Sequence, residues 1–178
     1  MKLDTPVRTL GPVNHRPLRD AVAAIDPAAW NEDTLRQDAF EQHRATQSII
    51  LMFASGWPQV KVEKRKGWDY FSTTAIPLMM EAVNGRYPPG GIILRAMIAK
   101  LVAGGEIAEH FDGHGTFDMS HRIHIPLVTN DQVDFKVRGE NHKLLEGVAY
   151  EISNVDYHGV SNRSDQDRIH FIFDYAVR

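Results

Sequence analysis

ILRAMIAKLVA (93–103) opens a series of short β-rich runs that continues with EIAEHFD (106–112), HRIHIPLV (121–128), QVDFKVR (132–138), VAYEIS (148–153) and RIHFIFDY (168–175). Turn-forming residues separate the runs, as at Gly104-Gly105 and at residues 162–165 (NRSD). Many short strands at close spacing are typical of antiparallel architectures, because parallel strands need a long crossover between them. The pattern therefore predicts an antiparallel β-sandwich or barrel.

The residues before this series indicate a mixed region with more helix. The first 45 residues are predicted to form loops and short helices, including a helix start at Asp26-Pro27 and a helix from Asp33 to His43. QSIILMF (47–53) is typical of a buried strand, and 58–70 of a solvated loop or edge strand. A further helix is expected at 76–84, ending at Gly85. The sequence thus predicts helices in front of a β-sandwich.

The composition indicates a soluble globular protein of one domain. The chain has 178 residues, of which 43% are hydrophobic and 24% charged. A net charge of −3 gives no general attraction to nucleic acid or to an anionic membrane. The first residues lack the apolar stretch of a signal peptide, and no run approaches the roughly 20 apolar residues of a membrane helix. We therefore expect a cytoplasmic protein without nucleic-acid or membrane partners; the sequence does not indicate an oligomeric state.

Metal ligands in this chain must be nitrogen and oxygen atoms, because it contains no cysteine. It contains nine histidines, and seven of them follow residue 109. The second half of the chain is therefore the place to look for a metal site.

The triplet His110-Phe111-Asp112 has the first suitable spacing. In a strand, residues i and i+2 project from the same face, so one imidazole and one carboxylate can point at the same ion while Phe111 packs on the other side. Such triplets also occur by chance, and a surface histidine near a turn aspartate is the alternative interpretation. His158, within NVDYHGV (154–160), would complete two histidines and one carboxylate, the facial triad of non-haem iron(II) oxygenases, which leaves coordination positions open.

Arg168 is the candidate anchor for a dicarboxylate cosubstrate. A ligand that chelates metal through its 2-oxo acid end needs a cation for its distal carboxylate, and arginine binds carboxylates with two nitrogens and stays charged when buried. The turn-rich segment 161–167 allows the chain to reverse between His158 and Arg168. A solvent-facing strand residue is the alternative interpretation for Arg168.

Arg122 and His124 alternate with Ile123 and Ile125 and therefore share one strand face. That face could be polar because it contacts water. It could also direct two more donors into the cavity, where they would help to hold carboxylates of the cosubstrate or the substrate.

Together these residues resemble a known family, the aspartyl/asparaginyl β-hydroxylase-like branch of the 2-oxoglutarate oxygenases. The resemblance covers about 92–175, with HFD (110–112), HRIHIPLVTN (121–130), LLEGVAYEISNVDYHGVSNRS (144–164) and DRIHFIFDY (167–175) as its marks; HRATQSIIL (43–51) is also similar. The resemblance implies a mainly β fold with flanking helices, the double-stranded β-helix or cupin-like jelly roll. One domain, 1–178, is expected, with 1–90 as helical or mixed support and 91–178 as the core that carries the site.

The resemblance also implies a function and a set of site residues. Iron(II), 2-oxoglutarate and O2 would be the cofactors, His110, Asp112 and His158 the metal ligands, and Arg168, His124 and Arg122 the cosubstrate-binding residues. His158 and Arg168 would lie in opposite sheets. The reaction would hydroxylate an unactivated C–H bond of an amino acid, a peptide or protein residue, or a small metabolite, and release succinate and CO2.

This chain differs from the animal members of that branch at two positions. They have glycine where this chain has Asp112, whereas the bacterial free-proline hydroxylases keep the carboxylate. Ala99 stands where the animal enzymes have a serine that helps to hold the cosubstrate. Two other functions remain open at this point: a cupin-like isomerase or hydrolase with another metal, and a binding module without turnover. Among the other histidines, His114 is the alternative metal ligand.

Overall fold

The computed structural model describes residues 1–33 and 45–177. Its eleven strands within these residues form two antiparallel sheets. The larger sheet has the order β1-β9-β6-β11-β4-β2-β3, and the smaller one the order β5-β10-β7-β8. The strands are β1 (Val7–Pro12), β2 (Thr46–Ser55), β3 (Lys61–Lys64), β4 (Ile92–Leu101), β5 (Glu106–His110), β6 (His121–Val128), β7 (Val133–Val137), β8 (Glu140–His142), β9 (Val148–Ile152), β10 (His158–Asn162) and β11 (Arg168–Ala176).

Two α-helices within the described residues cover the outer face of the large sheet. They are α1 (Arg16–Ala23) and α2 (Gly67–Val83), and a short 3-10 helix follows α1 at Pro27–Asn31. Asp26 caps that short helix by accepting a hydrogen bond from the Ala28 amide, as the Asp26-Pro27 pair predicts. No helix within the described residues is both long and apolar enough to span a bilayer.

The strand β11 shows how one sequence serves two layers. Its apolar residues Phe171, Phe173 and Tyr175 join the core between the large sheet and the helices. Arg168, His170, Ile172 and Asp174 alternate with them and therefore face the small sheet. Between the sheets a second core contains Leu101 and Ile152 of the large sheet and Val133, Phe135 and Val137 of the small one. This architecture of facing antiparallel sheets confirms the predicted jelly roll.

Two local predictions are wrong. The first 45 residues contain a strand, β1, which pairs with β9 at the edge of the large sheet. The helix expected at 76–84 begins nine residues earlier, at Gly67. The segment 58–70, predicted as a solvated loop or edge strand, therefore contains the edge strand β3 and also the first turn of α2. Phe71, Ala75, Leu78 and Ala82 are all buried, and their spacing follows the helical repeat through Pro77. The helix predicted from Asp33 to His43 lies outside the described residues after its first position.

The end of α2 agrees with the prediction. Asn84 caps the helix, and Gly85 has a φ of +71°, a conformation in which glycine avoids the steric cost that other residues meet.

Glu151 of β9 is a buried carboxylate that connects several elements. It is 1% exposed and accepts hydrogen bonds from the Tyr87 hydroxyl (2.8 Å) and from His121 Nδ1 (2.6 Å), and it forms an ion pair with Arg8 of β1. Burial raises the pKa of the Glu151 carboxyl, but the hydrogen bonds from His121 and Tyr87 outweigh this and hold that pKa below its ordinary value.

We therefore expect Glu151 to make the free energy of unfolding depend on pH in the acidic range. A carboxyl whose pKa is lower in the folded state stabilises the protein fully above its unfolded pKa, about 4.5, and loses this contribution as the pH falls through the folded value. Glu151→Gln is expected to lower the free energy of unfolding at pH 7 by about 2 kcal/mol and to weaken its pH dependence. Urea denaturation at several pH values measures both, with Glu146→Gln, an exposed carboxylate, as control. Equal stability of Glu151→Gln and the unsubstituted chain would contradict the expectation.

Candidate metal centre

His110 and His158 are direct neighbours across two antiparallel strands. His110 ends β5, His158 begins β10, and the register pairs the two residues, so their side chains leave the small sheet on one face. The ring centroids lie 4.4 Å apart. Residues far apart in sequence thus present two imidazoles at one point.

Asp112 joins the two histidines just beyond the end of β5. Its backbone amide donates to the Asn154 carbonyl (3.0 Å), which fixes the chain next to the segment that leads to His158. One ligand atom from each of His110, Asp112 and His158 lies within 4.8 Å of the others. The structure therefore brings the three predicted ligands together.

The ring nitrogens of both histidines are oriented for metal binding. Nδ1 of His110 lies 2.9 Å from the Ala108 carbonyl oxygen, and Nδ1 of His158 lies 2.9 Å from the Asp156 carbonyl oxygen. Because a carbonyl only accepts, each Nδ1 donates to it, and Nε2 is the nitrogen of each ring that can bind a metal. Burial lowers the pKa of His158 below its ordinary value, which favours the neutral, ligating form.

Arg122 of β6 contacts the carboxylate of this group. Its Nη1 donates to Asp112 Oδ2 (2.5 Å), and its Nε and Nη2 donate to the two oxygens of Asp174 (2.8 and 3.0 Å). Burial lowers the pKa of Arg122, but Asp112 and Asp174 outweigh it and raise that pKa above its ordinary value. Arg122 is therefore charged and held between two carboxylates.

Arg168 is a buried cation at the start of β11. It is 2% exposed, and no carboxylate of the described residues lies within ion-pair distance of it. Among the described residues, the Nε of Arg168 has no hydrogen-bond partner, and its Nη2 donates to His170 Nδ1 (2.5 Å). Burial lowers the pKa of Arg168 to about 9, which shows how little the surrounding protein compensates its charge.

Two spaces meet at the candidate ligands His110 and Asp112. A narrow inner pocket lies between the sheets and is lined by Arg168, His124, Ala99, His158 and other residues. An outer cavity of about 520 Å³ opens beside it and is lined by Phe53, Arg95, Met97, Phe111 and Phe117 among others. His110, Asp112 and Arg122 line both spaces. His158 in the small sheet and Arg168 in the large one thus face a common interior from opposite sheets.

The remaining predicted residues have clear positions. His124 is buried and packs its ring against those of Phe135 and His170, at centroid distances of 5.4 and 5.8 Å. His114 accepts a hydrogen bond from the Thr116 amide and caps the short 3-10 helix Gly115–Phe117, so its Nδ1 is engaged there.

Three residues of this region were not predicted: Arg95, Asp174 and His170. Arg95 and Asp174 lie inside otherwise apolar runs, ILRAMIAKL and FIFDY. Charged residues are rarely buried without partners, so a charge within an apolar strand was the signal that could have identified them.

Comparison with known proteins assigns the family. A family model described as aspartyl/asparaginyl beta-hydroxylase matches residues 18–177, which is most of the chain. A search of curated protein sequences found no match to this chain.

Solved structures with a similar fold include an oxidoreductase of the 2OG-Fe(II) oxygenase family from Burkholderia pseudomallei, with 13% identity, 90% of this chain and 76% of that chain covered, and a TM-score of 0.60. The non-heme monooxygenase ThoJ in a nickel complex has 16% identity, coverage of 97% and 74%, and a TM-score of 0.59. A prolyl hydroxylase from Trichoplax adhaerens, in complex with a hypoxia inducible factor peptide fragment, has 12% identity, coverage of 97% and 84%, and a TM-score of 0.59. At these identities the likeness shows the fold.

The family match and the His-Asp-His group together confirm the predicted enzyme class, a hydroxylase that uses iron(II), 2-oxoglutarate and O2. The chain belongs to the aspartyl/asparaginyl beta-hydroxylase family.

Proposed function

We propose that His110, Asp112 and His158 hold iron(II), that Arg168 binds the distal carboxylate of 2-oxoglutarate, and that the enzyme hydroxylates a C–H bond of a substrate in the outer cavity. The substrate would be an amino acid, a peptide or protein residue, or a small metabolite, and succinate and CO2 would be released. The observation that carries this proposal is that His110 and Asp112 line two separate spaces, the inner one of which is also lined by His158. Such a site can hold a cosubstrate and a substrate at one ion.

The donor set fits iron(II). Two neutral imidazole nitrogens and one carboxylate form a compact group, and both imidazoles are fixed by backbone carbonyls on their other nitrogen. Asp112 Oδ2 is bound by Arg122, while Oδ1 lies 3.9 Å from His110 Nε2. The carboxylate is thus suited to offer one oxygen to the metal.

The charge of the inner pocket suits a dicarboxylate. A buried guanidinium with an unsatisfied nitrogen is costly, and an anionic ligand would relieve that cost. Arg168 is such a group, and its planar fork matches a carboxylate. Ala99 lines the same pocket, so the position where the animal enzymes have serine offers no hydroxyl here.

The outer cavity provides room for the substrate. Its volume of about 520 Å³ lies in the range of ligand-binding clefts, and Phe53, Met97, Phe111 and Phe117 form much of its wall. The apolar wall would exclude water and orient the reacting carbon towards the three ligands. When bound, iron(II) with 2-oxoglutarate and O2 supplies the oxidising power, and the protein supplies the positions.

The test begins without a substrate. Iron(II) and 2-oxoglutarate added together under anaerobic conditions are expected to give a visible charge-transfer band that neither gives alone. Admission of O2 is then expected to yield succinate, and amino acids, peptides and small metabolites are screened for compounds that accelerate it. Zinc(II) in place of iron(II) is the control and is expected to give neither signal. Absence of both the band and succinate would overturn the proposal.

A further inference from the structure

Arg95, Asp174 and Arg122 form a charged row across the large sheet. The strand register places Asp174 of β11 opposite Arg95 of β4 on one side and Arg122 of β6 on the other. All three residues are buried, and Asp174 is fully inaccessible. Because neighbours across adjacent strands interact directly, the strand pairing places one anion between two cations.

Asp174 fixes the orientation of Arg122. Its Oδ1 accepts from Arg122 Nε (2.8 Å) and its Oδ2 from Arg122 Nη2 (3.0 Å), while Arg95 Nη1 lies 3.5 Å from Oδ2. A two-point contact of this kind sets both the position and the plane of a guanidinium. The third nitrogen, Nη1, then points at Asp112.

The contact of Nη1 engages only one oxygen of Asp112. Arg122 Nη1 donates to Oδ2, whereas Oδ1 is the oxygen near His110 Nε2. The two oxygens of the carboxylate thus have different neighbours, because Oδ2 is held by the guanidinium and Oδ1 lies towards the His110 imidazole.

We propose that Asp174 is a positioning residue of the metal centre, which acts through Arg122 to hold Asp112 with Oδ1 directed at the ion. This inference rests on the proposed metal role of Asp112. Without Asp174, Arg122 loses the partner of two of its nitrogens, and two buried cations lose their shared anion. Arg122 is then no longer fixed at two points, and Asp112 loses the contact that keeps Oδ1 directed at the ion.

The test measures metal affinity rather than turnover. Titration of the protein with manganese(II), in the absence of 2-oxoglutarate, gives the dissociation constant by electron paramagnetic resonance of the unbound ion. Asp174→Asn keeps the shape of the side chain and removes its charge. We expect it to weaken manganese(II) binding about tenfold, the lower end of the effect of residues that orient metal ligands.

A double-mutant cycle identifies the route of the effect. If Asp174 acts through Arg122, then Arg122→Gln and the double variant Asp174→Asn/Arg122→Gln weaken binding as much as Asp174→Asn alone. Independent damage to the fold would instead add in the double variant. Additive losses would overturn the proposal, as would an unchanged affinity in a folded Asp174→Asn protein.

The matched control is Asp134→Asn. Asp134 of β7 also pairs with two cations, Lys143 and Arg163, but it lies at the surface of the small sheet. The variant Asp134→Asn removes the same charge and is expected to leave manganese(II) affinity unchanged. A loss of affinity in Asp134→Asn equal to that in Asp174→Asn would overturn the proposal.

Folding is checked by thermal unfolding and circular dichroism. If Asp174→Asn does not fold, Arg122→Lys takes its place, because an ammonium keeps the charge but cannot hold Asp174 at two points while reaching Asp112. We expect Arg122→Lys also to bind manganese(II) about tenfold more weakly. An unchanged affinity of Arg122→Lys for manganese(II) would overturn the inference. A wild-type chain that binds no metal and forms no succinate would reject the proposed function instead.

Discussion

The variant His158→Ala is expected to bind iron(II) more than about 100-fold more weakly than the wild-type chain, and to form no measurable succinate. Loss of a group that merely orients a ligand already costs about 10- to 100-fold in affinity, so loss of a direct ligand should cost more. His158 is buried, and its Nδ1 is fixed by the Asp156 carbonyl oxygen. Few groups could therefore replace its Nε2. Metal titration and succinate assays measure the two effects.

His142→Ala is the matched control for this prediction. His142 lies on β8 of the same small sheet, and its partner across the strands is Phe135 rather than a candidate ligand. We expect wild-type metal affinity and succinate formation from it. Wild-type metal affinity in a folded His158→Ala protein would contradict the assignment of His158.

The sequence predicted that His110, Asp112 and His158 come together, and part of this arrangement is local. His110 and Asp112 are two residues apart, and this short spacing predicted their proximity. Asp112 nevertheless lies beyond the end of β5, and Phe111 lines the outer cavity instead of packing on the other side. His158 was added on chemistry and resemblance. The exact pairing of His110 with His158 across β5 and β10 depends on strand register, which no local pattern in the sequence specified.

The charged row behind the candidate metal ligands could not be predicted for the same reason. Arg95, Arg122 and Asp174 belong to three different strands and meet only when the order β6-β11-β4 is known. Arg122 was selected as a donor for ligand carboxylates, yet in the structure each of its three nitrogens contacts a protein carboxylate. Any contact of Arg122 with the cosubstrate would therefore involve a guanidinium that Asp112 and Asp174 already bind.

The two wrong predictions of secondary structure have a related cause. Residues 7–12 (VRTLGP) include glycine and proline and have weak strand character, and pairing with β9 makes them a strand. The lysine-rich run KVEKRKG (61–67) is typical of a solvated segment, so the sequence did not indicate that α2 begins at Gly67. The buried positions of α2 become evident only against the large sheet, where tertiary packing decides the conformation.

Arg168→Met is expected to remove the preference for a cosubstrate with a distal carboxylate. The probe is the pair 2-oxoglutarate and 2-oxobutyrate, which share the 2-oxo acid end and differ in the distal carboxylate. Truncating one partner of a buried charge pair costs about 2–5 kcal/mol, or roughly 30- to 4,000-fold in affinity. We expect a loss of that size for 2-oxoglutarate and a change of less than about threefold for 2-oxobutyrate, measured by anaerobic titration of the iron(II) protein.

The pair of ligands separates this role from damage to the fold. Equal losses for both ligands would indicate general damage, and no loss for either would place the distal carboxylate elsewhere. Arg163→Met, at an exposed arginine paired with Asp134, is the control and should change neither affinity.

Arg168 is the expected anchor because the other cations of the inner pocket are already engaged. Arg122 is held by Asp112 and Asp174, and Lys100 lies 3.9 Å from Asp167 and 4.2 Å from the centroid of the Trp30 ring. Among the described residues, Arg168 meets no carboxylate, and its Nε has no partner. A buried charge is tolerated when a ligand completes its partners. The energetic cost of leaving Arg168 uncompensated is therefore the physical reason to expect a tightly bound anion at this end of the pocket.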